Sequence, residues 1–232
     1  MKPYQQVTIQ DNGEALVPIP LERFAVVTPH PYVALGAPYG EKSPYFLREG
    51  VLRKLLQAQA HLQADHPGWQ LQIFDAYRPI PVQQFMVDYT FGQLAAAAGL
   101  DVHTMSDDVR SRLHSQVIEF WAVPSPDPST PPPHSTGAAV DLTLVNADGE
   151  TVMMGSDLDE ISPRSYPNHF EASTQANDQQ YHRNRRRLSE AMEFAGFRQH
   201  PKEWWHFSAG DQLWAWQVGQ GQRACYGNAQ LI

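Results

Sequence analysis

A chain of 232 residues, 42% of them hydrophobic, has the material for one large domain and too little for two comfortable ones. Its 17 Lys+Arg against 25 Asp+Glu leave a net charge of -8, which disfavours nucleic acid and anionic membranes as partners. The lone cysteine, Cys225, excludes an internal disulfide framework and any cysteine-based zinc knuckle, so a metal has to rest on nitrogen and oxygen.

In chain order, the first 45 residues are rich in Pro and Tyr and read as an extended wrap around a single domain covering 1–232. Their N-terminal stretch lacks a hydrophobic signal core, and the small apolar run from Leu94 to Leu100 is far too short to span a bilayer, so the cytoplasm is the expected location. Val51, Leu52, Leu55, Leu56 and Leu62 fall on one face of a helix that Pro67-Gly68 terminates. Trp69 to Ala76 alternates as a half-buried strand and runs into Tyr77-Arg78-Pro79. A helix starting near Pro79 or Pro81 carries Phe85, Met86 and Tyr89 inward until Gly92 or Gly99 interrupts it.

Ser106 is the expected cap of the next helix, which continues through Val109, Leu113, Val117 and Phe120. Six prolines between Pro124 and Pro133 make a stiff loop that delivers His134. Ala138 to Val145 is then a strand, Asn146 to Gly149 a turn, and Thr151 to Met154 its hairpin partner. Residues 155–177 are polar and aperiodic, a length of loop that often rims an active site. A helix from about Asp178 to Ala195 ends at Gly196, and strands at Glu203–Phe207 and Leu213–Val218 close an α+β fold. The basic run of Arg183, Arg185, Arg186 and Arg187 reads as a solvated helix face, and Cys225 as a packed thiol.

Two short clusters carry the chemistry: His134-Ser135-Thr136-Gly137-Ala138-Ala139-Val140-Asp141, and Glu203-Trp204-Trp205-His206. They offer two imidazoles, a metal-type carboxylate and a spare glutamate, the inventory of a mononuclear zinc hydrolase with one open coordination position. Residues seven apart in a regular strand point to opposite faces, so His134 and Asp141 can share an ion only if the chain breaks between them, and Gly137 sits where that break is needed. Glu203 and His206, three apart, meet the same restriction, which places Glu203 in the turn entering the strand. Trp204 and Trp205 read as packing residues. Asp75 either orients Arg78 or is a turn residue. A fourth protein ligand would close the metal, so His30, His169 and His200 are expected at the surface or rim.

Together with Asp75-Ala76-Tyr77-Arg78-Pro79, these clusters stand in the order and at the separation that resembles the D-alanyl-D-alanine dipeptidase family, the dipeptidase branch of the zinc D,D-peptidases. The resemblance extends from about residue 30 to 208. It implies a central antiparallel sheet flanked by helices, of the Hedgehog/D,D-peptidase type, holding one Zn2+ per chain on His134, Asp141 and His206. Glu203 matches the family's catalytic base and Arg78 its transition-state arginine. Tyr32 and Asp159 resemble the residues around the substrate's free ammonium. Pro132 departs from the family's usual Ser two residues before the first zinc histidine, which removes a hydroxyl from the substrate pocket. The implied activity is hydrolysis of the small D-Ala-D-Ala dipeptide in cell-wall peptide turnover or recycling. The alternatives are a D,D- or L,D-carboxypeptidase acting on peptidoglycan peptides and a non-catalytic peptidoglycan-fragment sensor. A His2Asp site is also compatible with cobalt, nickel or manganese.

Overall fold

Among the described residues, seven short strands and six α-helices are arranged by a simple division of apolar residues. The strands are β1 (Leu16–Pro18), β2 (Ala25–Val26), β3 (Phe46–Arg48), β4 (Gln70–Asp75), β5 (Ala139–Val145), β6 (Arg198–Gln199) and β7 (His206–Ser208). The helices are α1 (Pro31–Ala34), α2 (Glu49–Asp65), α3 (Ile80–Ala97), α4 (Asp107–Phe120), α5 (Ala176–Phe194) and α6 (Gln212–Val218). The computed structural model describes residues 2–229.

The central sheet has the order β2-β4-β5-β7-β6, while β1 and β3 form a separate antiparallel pair. Every neighbouring pair in the central sheet is antiparallel except β2 with β4. The parallel edge strand comes from the stretch expected as irregular wrap, so part of the N-terminal segment is built into the sheet.

Period-two alternation assigns the faces of the sheet. Val140, Leu142 and Leu144 of β5 join Leu71, Ile73 and Phe207 in a core completed by Val51, Leu55, Ala58 and Leu62 of α2 and by Leu188, Ala191 and Met192 of α5. A second apolar cluster gathers Val82, Met86 and Val87 of α3 with Val117 of α4, Tyr32 and Trp121, and Phe74 packs against it. Tyr89, expected inward, is exposed.

Local chemistry explains most element ends. Ser106 caps α4 by accepting a bond from the Val109 N–H at 3.4 Å. Gly99 and Gly196 adopt φ of +66° and +86° just past α3 and α5, a conformation that costs any other residue strain. Gly92 does not interrupt α3: an interior glycine costs only about 1 kcal/mol relative to alanine, and packing of an 18-residue helix outweighs it.

Three further expectations change. The segment Leu213–Val218 is helix α6, not a strand, because the Asp211 carboxylate accepts from the Trp214 N–H at 2.8 Å and starts a helical turn that aromatic content alone does not reveal. The hairpin partner at Thr151–Met154 shrinks to one bridge, Val145 with Thr151. Beyond it, Asn184 Nδ2 takes the Met153 carbonyl at 2.8 Å and Arg185 Nε the Met154 carbonyl at 2.7 Å, so side chains of α5 replace a strand as hydrogen-bond partners. The basic run is accordingly not one solvated face. Arg183 and Arg186 are exposed, whereas Arg185 is buried and also donates to the carbonyls of Tyr166 and Arg164, both at 2.8 Å. Burial pushes its pKa down to about 10. Arg185 thereby ties the loop after Met154 to α5.

Candidate active site

The sheet register sets the site. Asp141 of β5 is directly paired with His206 of β7, so their side chains rise from the same face on adjacent strands. On the other side, Asp75 of β4 pairs with Asp141 across a register shift between Ile73 and Asp75. Ile73 faces the core, and the bulge turns Asp75 out of that alternation to stand beside Asp141. His134 arrives from a tight turn over Pro133–Thr136, after which Gly137, at φ +71°, reverses the chain into β5. A Cβ there would lie 2.3 Å from Leu16 Cδ2, a side-chain tip that can move aside, so it is the left-handed backbone conformation that calls for glycine.

The three donor atoms converge. His134 Nε2 lies 3.1 Å from Asp141 Oδ2 and 3.1 Å from His206 Nδ1, and His206 Nδ1 lies 3.0 Å from Asp141 Oδ1. Partners behind the rings fix which nitrogen is free. His134 Nδ1 is 2.7 Å from the Ala76 carbonyl, so it carries the proton and leaves the Nε2 lone pair facing inward. The Ser208 hydroxyl donates to Asp211 Oδ2 at 2.7 Å, so it accepts from His206 Nε2 at 3.3 Å, which leaves the His206 Nδ1 lone pair facing inward. Two imidazole lone pairs and a carboxylate cannot face one another so closely without positive charge between them. The donor set fits a borderline cation taking nitrogen and oxygen.

Arg78 lies behind this cluster. Its guanidinium donates from Nε to Asp75 Oδ2 at 2.8 Å, from Nη2 to Asp141 Oδ2 at 3.1 Å and to the Tyr32 hydroxyl at 3.2 Å, and from Nη1 to Gln83 Oε1 at 3.0 Å. The chain turns at Pro79, so Asp75 and Arg78 meet, and Asp75 orients the guanidinium. His30 is buried, 3.1 Å from Asp75 Oδ1, rather than at the surface. Tyr39 donates to the same oxygen at 3.1 Å. These two have no motif of their own; the Pro-rich stretch around His30 is the single sequence signal that points there.

Glu203 lies in the turn just before β7, with Oε2 3.7 Å from His206 Nδ1 and Oε1 3.5 Å from His200 Nδ1. Burial, then the charge of Asp141, pushes its carboxyl well above the ordinary carboxylate range. Burial followed by His206 pushes His200 well below the ordinary imidazole range, so it stands neutral beside Glu203. Across the pocket, the Tyr32 hydroxyl donates to Asp159 Oδ2 at 2.6 Å. Asp159 sits in the polar loop at φ +60°, and burial, then Asp141, pushes its carboxyl up to about 7. All seven residues singled out from sequence except Tyr32 line one pocket, and Tyr32 touches it through Asp159 and Arg78. Trp205 lines the pocket and Trp204 is buried; His169 lies in a separate surface groove, which His200 also borders. Pro132 is buried before the His134 turn. The pocket walls missed from sequence include Lys2, Tyr4, Gln83, Trp121 and Leu213, none of which carries a recognisable motif.

A family model described as D-ala-D-ala dipeptidase matches residues 26–223. The chain belongs to the D-Ala-D-Ala dipeptidase family. Within it, the D-alanyl-D-alanine dipeptidase of Synechocystis sp. is 50% identical over 226 residues, covering 95% of this chain and 92% of that one. The D-alanyl-D-alanine dipeptidase of Enterococcus faecalis is 32% identical over 71% of this chain and 73% of its own. A solved structure of VanYB in complex with D-Alanine-D-Alanine aligns over 77% of this chain and 80% of that one, at 17% identity and a TM-score of 0.44. Among the described residues of this family member, no helix is long and apolar enough to cross a membrane.

Proposed function

We propose that this chain is a zinc-dependent dipeptidase, working as a single domain, that hydrolyses D-Ala-D-Ala to free D-alanine. The observation that carries the reading is the convergence of three buried acceptors, His134 Nε2, His206 Nδ1 and Asp141, with Glu203 beside them in one pocket. Family membership supports the substrate. Zinc held by His134, Asp141 and His206 supplies Lewis acidity, polarising the scissile carbonyl and acidifying water.

The remaining steps belong to the protein. Glu203, whose proton affinity burial has raised, takes the proton from the attacking water and passes it to the leaving amine. Arg78, already fixed by Asp75, offers its charge and its one uncommitted N–H to the oxyanion that develops on the carbonyl; a preorganised donor of this kind is worth about 3 kcal/mol. Asp159, held by Tyr32, receives the free ammonium of the dipeptide. That contact separates a dipeptidase from a carboxypeptidase, since an acylated nitrogen brings no charge to pair with a buried carboxylate. A role in cell-wall peptide turnover and a cytoplasmic setting complete the reading. A single cysteine and a small, diffusible substrate are compatible with both.

The test is release of D-alanine from D-Ala-D-Ala and from its N-acetylated form, with zinc-loaded and chelator-stripped protein side by side. Zinc-dependent cleavage of the free dipeptide alone is expected. Equal cleavage of the blocked peptide would assign a carboxypeptidase.

A further inference from the structure

Lys2 brings a second cation to the pocket. It precedes a tight turn over Pro3–Gln6 that is pinned to α6: Gln212 Nε2 donates to the Val7 carbonyl at 2.7 Å and the Gln5 carbonyl at 3.3 Å. The Lys2 backbone N–H donates to Gln5 Oε1 at 2.8 Å, and Tyr4 is buried beneath the turn. The segment is therefore fastened over the site, and Lys2 and Tyr4 form part of the pocket wall beside Glu203 and His206.

The two pocket cations differ in how far they are already committed. Arg78 is bonded to Asp75, Asp141, Gln83 and Tyr32. Lys2 Nζ has a single long bond, 3.4 Å to the Trp121 carbonyl, and the other two of its three N–H donors have no protein partner among the described residues. Lys2 is half-buried in the pocket wall that also holds Glu203, and burial pushes its pKa down while Glu203 acts against that. Lys2 and Asp159 both line the pocket with Glu203, and among the described residues no hydrogen bond or ion pair joins them: Lys2 turns to the Trp121 carbonyl and Asp159 to the Tyr32 hydroxyl. The pocket thus presents an anion and a cation around the base, the pattern that complements a zwitterion.

We propose that Lys2 receives the C-terminal carboxylate of the substrate, so that the pocket checks both ends of a free dipeptide, the ammonium at Asp159 and the carboxylate at Lys2. This rests on the dipeptidase reading above. The matched family region begins at residue 26, so the role does not come with family membership. A carboxylate entering a pocket lined by buried groups gives up part of its hydration, and an ammonium with two open N–H bonds can replace it.

The test compares D-Ala-D-Ala with D-Ala-D-alaninamide, which lacks the carboxylate, using zinc-loaded protein without an N-terminal tag. Wild type is expected to prefer the free acid. Lys2→Gln should raise KM for the acid by about 10- to 100-fold with kcat little changed, and leave the amide nearly unaffected, so that the preference collapses. Lys2→Arg should retain most of the preference. Equal losses on acid and amide, with a displaced pH profile, would overturn the proposal and make Lys2 a partner of Glu203 instead. A wild-type protein that cleaves neither substrate would overturn the dipeptidase reading and the Lys2 assignment with it.

Discussion

The two sides of the pocket are built differently. The metal side stands on the sheet: Asp141 and His206 are cross-strand partners, Asp75 flanks them, and a fully buried core lies on the opposite face. The proposed substrate side is hung from loops and turns: Asp159 at a positive φ, held by Tyr32, and Lys2 just before a short turn fastened by Gln212. Rigid placement serves the group that must hold an ion and move protons within tenths of an ångström. Loop-borne groups choose among substrates, and they can change without disturbing the sheet. Substitutions on the sheet side should therefore act on kcat and metal, and those on the loop side on KM and selectivity.

The largest separation should come from Glu203→Gln. It keeps shape and hydrogen bonding but removes the proton acceptor, so kcat should fall by about 10³-fold, within the range for a positioned general base. Zinc content should remain at one per chain, measured by atomic absorption. Loss of zinc together with activity would place Glu203 among the ligands and erase the distinction drawn here.

A smaller effect is expected at Ser208, which never touches the substrate. Ser208→Ala removes the hydroxyl that accepts from His206 Nε2 and is itself held by Asp211, freeing the imidazole to rotate or change tautomer. Zinc affinity should weaken by about 10- to 100-fold in competition with a chromophoric chelator, while kcat at saturating zinc changes little. Unchanged affinity would show that the ring is fixed by packing alone.

On the loop side, Asp159→Asn should raise KM for the free dipeptide by about tenfold and narrow its advantage over the N-acetylated form. The wild-type KM should also rise on the acid side, because the buried Asp159 carboxyl is raised and its neutral form, gained as pH falls, no longer pairs with an ammonium. Asp159→Asn should flatten that rise. A kcat effect without a KM effect would move Asp159 to the sheet side of the comparison.

The same contrast governs what the sequence makes legible. The sheet side is spelled out locally: Gly137 breaks the chain between two ligands, and Glu203 stands in the turn before His206, so spacing and alternation suffice to anticipate both. The clusters and their order also identify the family. What escapes is long-range pairing. Arg185 looks like one more surface arginine until the carbonyls of Met154, Arg164 and Tyr166 close around it. His30 looks like a rim residue until Asp75, 45 positions away, turns toward it through a bulge. Lys2 gives no local sign that Gln212, at the far end of the chain, fastens its segment over the pocket. Helix α6 was hidden for a different reason: its aromatic residues favour strands, and a single cap at Asp211 outweighs them.

The central claim is that one zinc ion sits on His134, Asp141 and His206, and X-ray absorption at the zinc edge of the loaded protein tests it most directly. One equivalent of zinc with nitrogen and oxygen neighbours at about 2.0 Å, a two-imidazole scattering signature, and loss of specific binding in His134→Ala/His206→Ala is the predicted result. A sulfur neighbour, or an unchanged spectrum in the double variant, would contradict it.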